Sequence, residues 1–138
     1  MPAARVLVVD DHPINLELIT LLLEAEGFDV TSASNAEEAL AALKARVPDV
    51  LVLDVQLPGM SGLDLMKVVR SRPDTCGICA VVVTSYAMEA DREIATAAGC
   101  DAYFTKPVNT REFAAAIRDV YDRSRQLRSI SAVPPDLD

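Results

Sequence analysis

The sequence predicts an α/β domain with a doubly wound parallel sheet, built as five consecutive βα units. Two observations carry that prediction. Short apolar runs of strand length alternate five times with segments whose apolar residues recur at helical spacing. The runs themselves, VLVV (6–9), VLVL (50–53) and AVVV (80–83), are continuous Val, Leu and Ala with no polar residue between. Strands of that kind are buried on both faces, so helices must lie above and below the sheet.

Each element follows from its own residues. After VLVV a helix opens at Pro13, which suits a first helical position, and presents Ile14, Leu18, Leu22 and Ala25 on one face before Gly27 stops it. DVTSA (29–33) makes the second strand, and Asn35 with Glu38 three residues later caps a helix carrying Ala39, Leu40 and Leu43. VLVL is followed by a Pro58-Gly59 turn and a helix from about Gly62 to Arg70. AVVV leads to a weaker helix ending before Gly99, and AYFT (102–105) to a long one carrying Phe113, Ile117 and Val120. The expected domain is 1–125, with 126–138 as a flexible tail or linker, because SISAVPPDLD offers little to bury.

Composition narrows the function. A chain of 138 residues is about one domain. No apolar run approaches the roughly 20 residues of a membrane span, and the start MPAAR lacks the charged and apolar segments of an export signal. Three cysteines in such a chain fit a reducing cytoplasm. The net charge of -8 argues against nucleic acid and anionic membrane as partners, since both are bound through basic surfaces. Arg118, Arg123, Arg125 and Arg128 form a local basic run, read as a solvated helix face.

Ligands of a doubly wound sheet bind beyond the carboxyl ends of its strands. The residues just after each apolar run are therefore the candidates. They are Asp10 and Asp11 after the first, Asp54 after the third, Thr84 and Ser85 after the fourth, and Lys106-Pro107 after the fifth. With the flavodoxin-like strand order 2-1-3-4-5, three carboxylates, a hydroxyl and an ammonium converge on one rim. Two unit charges about 4 Å apart repel by roughly 4 kcal/mol at an effective dielectric near 20. Such a trio needs a cation, and oxygen ligands on a rim open to water suit Mg²⁺. A cation, an ammonium and a hydroxyl around one carboxylate also meet the needs of phosphoryl transfer, with Asp54 as the group that becomes an acyl phosphate.

Taken together, VLVVDDHP, LVLDVQLPGMSG, VVVTS and YFTKP resemble the receiver domain of two-component response regulators, of the stand-alone, chemotaxis-receiver-like kind, over about residues 4–124. The resemblance implies a phosphorylation-dependent signalling switch that catalyses only its own phosphorylation and dephosphorylation and turns over no metabolite. Asp54 would accept the phosphoryl group from a sensor histidine kinase or a histidine phosphotransfer protein. Asp11, Asp54 and the backbone carbonyl of Gln56 would bind Mg²⁺, with Asp10 holding a metal-bound water. Lys106 and Thr84 would engage the phosphate, Tyr103 would turn inward, and a cis Lys106-Pro107 bond would aim the ammonium. The surface of the fourth helix, fifth strand and fifth helix would then change for a downstream protein. His12, Gln56 and Tyr86 are departures beside the site, on the route by which water reaches a phosphoaspartate.

Competing readings are weaker on the residues. A small Mg²⁺-dependent phosphohydrolase with an aspartate nucleophile wants a second aspartate two residues on as general acid, where this chain has Gln56. A flavin carrier would place its phosphate against Asp10 and Asp11, which repel it. Cys76-Gly-Ile-Cys79 leads into a strand, whereas a redox pair of that spacing opens a helix. His12, the single histidine, lacks the further nitrogen or thiolate partners of a zinc site and is read as a helix-start residue.

Overall fold

The structure, a computed structural model, describes residues 3–85 and 88–131, with side chains to residue 126. Five βα units follow one another: β1 (Arg5–Val9), α1 (Pro13–Ala25), β2 (Asp29–Ala33), α2 (Ala36–Ala45), β3 (Val50–Leu53), α3 (Gly62–Ser71), β4 (Cys79–Thr84), α4 (Glu89–Ala98), β5 (Ala102–Thr105) and α5 (Phe113–Ser131). The strands are parallel in the order β2-β1-β3-β4-β5, as the sequence predicts.

Period-two alternation sorts each strand onto two cores. Val6, Val8, Val50, Val52, Val81 and Val83 face α1 and α5, where Ile19, Leu23, Phe113 and Ile117 cover them. Leu7, Val9, Leu51, Leu53, Ala80 and Val82 face α2, α3 and α4, against Leu43, Leu65, Met66 and Ala95. Tyr103 and Phe104 divide in the same way, one packed on each core. The edge strand β2 is the most exposed, in keeping with its polar sequence.

Caps behave as their residues dictate. The Asn35 side chain accepts from the Glu38 N–H (2.8 Å), and the Glu38 carboxylate in turn accepts from the Ser34 N–H (2.8 Å). Ser61 caps α3 by accepting from the Asp64 N–H. Gly99 closes α4 at a φ of 110°, a left-handed turn that glycine adopts at little cost.

One expectation needs correction. The buried face of α1 centres on Ile19 and Leu23, with Leu16 and Leu22 packed partly against the same core, whereas Ile14, Leu18 and Ala25 are exposed, Ile14 at 85% and Leu18 at 37%. PINLELITLLLEA is apolar on nearly every side, so its spacing does not fix which side meets the sheet. The last helix, α5, runs to Ser131. Residues 132–138 lie outside the described residues.

At the amino ends of the strands, Arg70 in the last turn of α3 is a hub. Its guanidinium donates to the carbonyls of Cys76 (2.7 Å), Ile78 (2.6 Å) and Gly99 (3.0 and 2.7 Å) and to the Asp101 carboxylate (3.0 Å). Asp101 also accepts from the Ala80 N–H (2.8 Å). One fork thus ties α3 to the starts of β4 and β5 and to the end of α4.

Candidate phosphoryl-acceptor site

The opposite edge of the sheet gathers the residues named from the sequence. β1 and β3 are hydrogen-bonded neighbours with Val9 beside Leu53, so Asp10 and Asp54 leave the sheet side by side. Both are 2% exposed, while Asp11 turns outward with about a third of its side chain in water. Lys106 follows β5, its N–H bonded to the Thr84 carbonyl (2.8 Å) across a pair in register through Thr84 and Thr105. Its ammonium bridges Asp54 Oδ2 (2.6 Å) and Asp10 Oδ2 (3.0 Å). The Lys106-Pro107 bond is cis, in line with the resemblance.

Electrostatics around this bridge are one-sided. Burial works against the Lys106 ammonium, but the hydrogen bonds it donates to Asp54 and Asp10, and their charges, outweigh it and raise its pKa above the ordinary lysine value. Asp10 accepts three donors in all: Lys106, the His12 N–H (2.9 Å) and the Asn15 side-chain amide. Asp54 Oδ1 accepts from the Gln56 N–H (2.9 Å). The N-terminus of α1 also points here, and its partial positive charge favours the buried carboxylate. A surplus remains, because three carboxylates face one ammonium.

That surplus has the composition of a cation site. Ligand atoms of Asp10, Asp11, Asp54 and His12 lie within 4.8 Å of one another. Donors on one octahedral ion with bonds of about 2.1 Å sit roughly 3 to 4.2 Å apart, so small side-chain shifts would close this group on a divalent ion. The carboxylate oxygens of this group, on an open rim, fit Mg²⁺.

The chemistry of the rim also depends on one close approach. A Cβ on Gly62 would collide with the Asp54 carbonyl oxygen and stand 2.6 Å from the Val55 Cα. The Gly62 N–H bonds the Val55 carbonyl (3.0 Å), so the start of α3 presses directly on the loop that carries Asp54. Thr84 ends β4 fully buried. Tyr103 stands at a cleft of about 250 Å³ beside this loop, with Val55, Leu63, Asp91 and Ile94. Arg92 lies over its ring at 5.0 Å, and burial first, then Asp91, raises its phenol pKa. His12 is the residue before α1, as expected, yet its Nδ1 also stands 3.3 Å from Asp11 Oδ1 and 3.6 Å from Asp10 Oδ1. The three cysteines are unbridged, Cys79 within β4 and away from this rim. Tyr86 lies outside the described residues.

Residues 6–118 match the family model for the response regulator receiver domain. The chain belongs to that family. It is 34% identical over 113 residues to the polar-differentiation response regulator DivK of Brucella anthropi, covering 82% of this chain and 92% of that protein. It is 39% identical over 119 residues to a probable transcriptional regulatory protein, TcrX, of Mycobacterium tuberculosis, covering 86% of this chain but only 50% of that protein. Against such longer regulators the receiver spans about half the length. Among solved structures, a CheY-like response regulator receiver domain from Methanospirillum hungatei superposes with a TM-score of 0.81 at 33% identity, covering 90% of this chain and 98% of that one. Receiver domains are signalling proteins that bind Mg²⁺ at an acidic site and are phosphorylated by histidine kinases. No helix among the described residues is long and apolar enough to cross a membrane.

Two contributors escaped the sequence reading. Asn15 sits one turn into α1 and reaches back to Asp10, a contact visible only once the helix direction is known. Gly62 carried a signal, the PGMSG run, but the need for glycine there comes from the approach of α3 to β3.

Proposed function

We propose that this receiver takes a phosphoryl group from a phosphohistidine protein onto Asp54 and passes the signal through the α4, β5 and α5 surface to a protein partner in the cytoplasm, without itself binding nucleic acid or membrane. The observation that carries this reading is the Lys106 bridge, in which a single ammonium holds Asp54 and Asp10 at the mouth of the sheet and leaves the carboxylates in excess. Asp11, Asp54 and the Gln56 carbonyl would hold Mg²⁺, with Asp10 acting through a water. When bound, Mg²⁺ neutralises charge on the transferring phosphoryl group.

The chain's own residues do the rest. A carboxylate oxygen of Asp54 attacks phosphorus in line with the donor imidazole nitrogen. The new O–P bond forms as the P–N bond breaks and the imidazole leaves with the bonding pair, to be protonated by water. Lys106 then exchanges part of its bridge for a phosphate oxygen, and Thr84 donates its hydroxyl to another. Rearrangement on the α4 side follows from how little holds that helix. Its one buried residue is Ala95, Ile94 is 54% exposed and Arg92 rests on Tyr103. Withdrawal of Tyr103 from the cleft edge would release that stack, and Pro107 would carry the movement of Lys106 into the loop before α5.

Labelling with a small phosphodonor such as acetyl phosphate and Mg²⁺ tests the assignment. Wild type should acquire one hydroxylamine-labile phosphoryl group and Asp54→Asn none, because an amide is a poor nucleophile. Label that resists hydroxylamine, or persists in Asp54→Asn, would contradict it.

A further inference from the structure

We propose that His12 is a metal ligand of this site, donating Nδ1, so that the site takes a borderline divalent transition ion such as Zn²⁺ or Ni²⁺ in preference to Mg²⁺. This rests on the metal-binding reading of the rim given above and deepens it. The carboxylates alone describe a hard-ion site. The imidazole changes its chemistry, because nitrogen donors are favoured by later first-row ions and offer Mg²⁺ little.

Geometry supports the added ligand. Nδ1 lies 3.3 Å from Asp11 Oδ1 and 3.6 Å from Asp10 Oδ1, close to the roughly 3 Å between adjacent donors on one octahedral ion. The backbone is fixed where the ring needs it, since the His12 N–H is bound to Asp10 Oδ1 (2.9 Å) and its carbonyl accepts from Leu16 N–H (2.9 Å) at the start of α1. Its side chain is 70% exposed, so the ring can turn the last few tenths of an ångström at little cost. Lys106 contacts Oδ2 of both Asp10 and Asp54, whereas the imidazole stands beside Oδ1 of Asp10 and of Asp11. Thiols do not compete at this rim: Cys79 opens β4 beside Val50, at the far edge of the sheet, and Cys76 and Cys100 precede β4 and β5 there.

The single histidine makes the test clean. Imidazole resonances of the wild-type protein are followed by NMR as Zn²⁺ is added, then as excess Mg²⁺ is added. The His12 nitrogen signals should shift on the Nδ1 side with Zn²⁺ and recover with Mg²⁺, because both ions use one site. Calorimetric titration of wild type and His12→Asn with Mg²⁺ and Ni²⁺ gives the energetic arm, asparagine being a good residue at a helix start. Loss of an outer partner of a metal ligand already costs on the order of 10- to 100-fold, so Ni²⁺ affinity should fall at least about tenfold while Mg²⁺ affinity changes less than about twofold. Equal Ni²⁺ affinity in the two proteins, or unmoved His12 signals with Zn²⁺ bound, would overturn the role of His12 alone. Absence of Mg²⁺ binding in wild type would instead overturn the metal-site reading beneath it. Should His12→Asn not fold, the wild-type NMR titration still decides.

Discussion

The two edges of this sheet each hold a cation among carboxylates and carbonyls, and they are built to opposite ends. At the amino edge, Arg70 meets one carboxylate, Asp101, and spends its remaining donors on three backbone carbonyls. Charge there is balanced and the fork is filled. At the carboxyl edge, Lys106 meets Asp10 and Asp54, while Asp11 stands beside them with no ammonium of its own among the described residues. The first cluster serves cohesion, since one guanidinium joins α3 to the starts of β4 and β5 and the end of α4 through five hydrogen bonds. The second leaves a negative surplus in place, and the proposed binding of Mg²⁺ and uptake of a phosphoryl group at Asp54 rest on that surplus. An unbalanced cluster beside a balanced one of like ingredients is what separates site from scaffold in this molecule.

The largest effect should come from the balanced edge. Arg70→Ala leaves Asp101 and the carbonyls of Cys76, Ile78 and Gly99 short of donors, and should destabilise the fold by about 2 to 3 kcal/mol in denaturant titrations. Arg70→Lys should recover only a minor part, since a point charge cannot fill a planar fork. Phosphoryl uptake by Asp54 below the lowered melting temperature should be unchanged in both. Impaired labelling there would mean that the two edges are not separate in role.

Gly62→Ala sharpens the comparison from the other side. A methyl group against the Asp54 carbonyl and Val55 must push α3 away from the acceptor loop, at a cost of about 1 to 3 kcal/mol. Unlike Arg70→Ala, it should also slow labelling of Asp54 well below the melting temperature.

A smaller effect concerns pH. Lys106 has its pKa raised in the folded state, so its ion pairs stabilise the protein fully below the ordinary lysine value of 10.5 and are lost as pH rises through the raised one. Denaturation midpoints of wild type should therefore fall more steeply in that alkaline range than those of Lys106→Met. Parallel curves would show that the bridge contributes no net stability.

Much of this was legible in the sequence for a topological reason. In a parallel sheet all carboxyl ends lie on one edge, so Asp10, Asp11, Asp54, Thr84 and Lys106, each just past an apolar run, had to meet once the order 2-1-3-4-5 was inferred. Contacts that depend on packing were not legible. Arg70 reads as an ordinary basic residue at a helix end, and its partners lie up to 31 positions away. The phase of α1 was misread because apolar residues surround that helix, so Ile14 and Leu18 looked as fit for burial as Ile19 and Leu23. The repulsion inferred among the aspartates left out Lys106, which is seated between two of them and offsets part of it.

On the proposed function, the surplus negative charge at the carboxyl edge is there to bind a metal. Thermal melts of wild type and Asp11→Asn, each in chelator and in Mg²⁺, test it most directly. Removing one of three clustered charges should make Asp11→Asn more stable than wild type in chelator, by about 1 kcal/mol given its partial exposure. Added Mg²⁺ should then raise the melting temperature of wild type and move the variant far less, because a ligand bound only by the native state stabilises it. A variant less stable than wild type in chelator, with both proteins responding equally to Mg²⁺, would contradict the account.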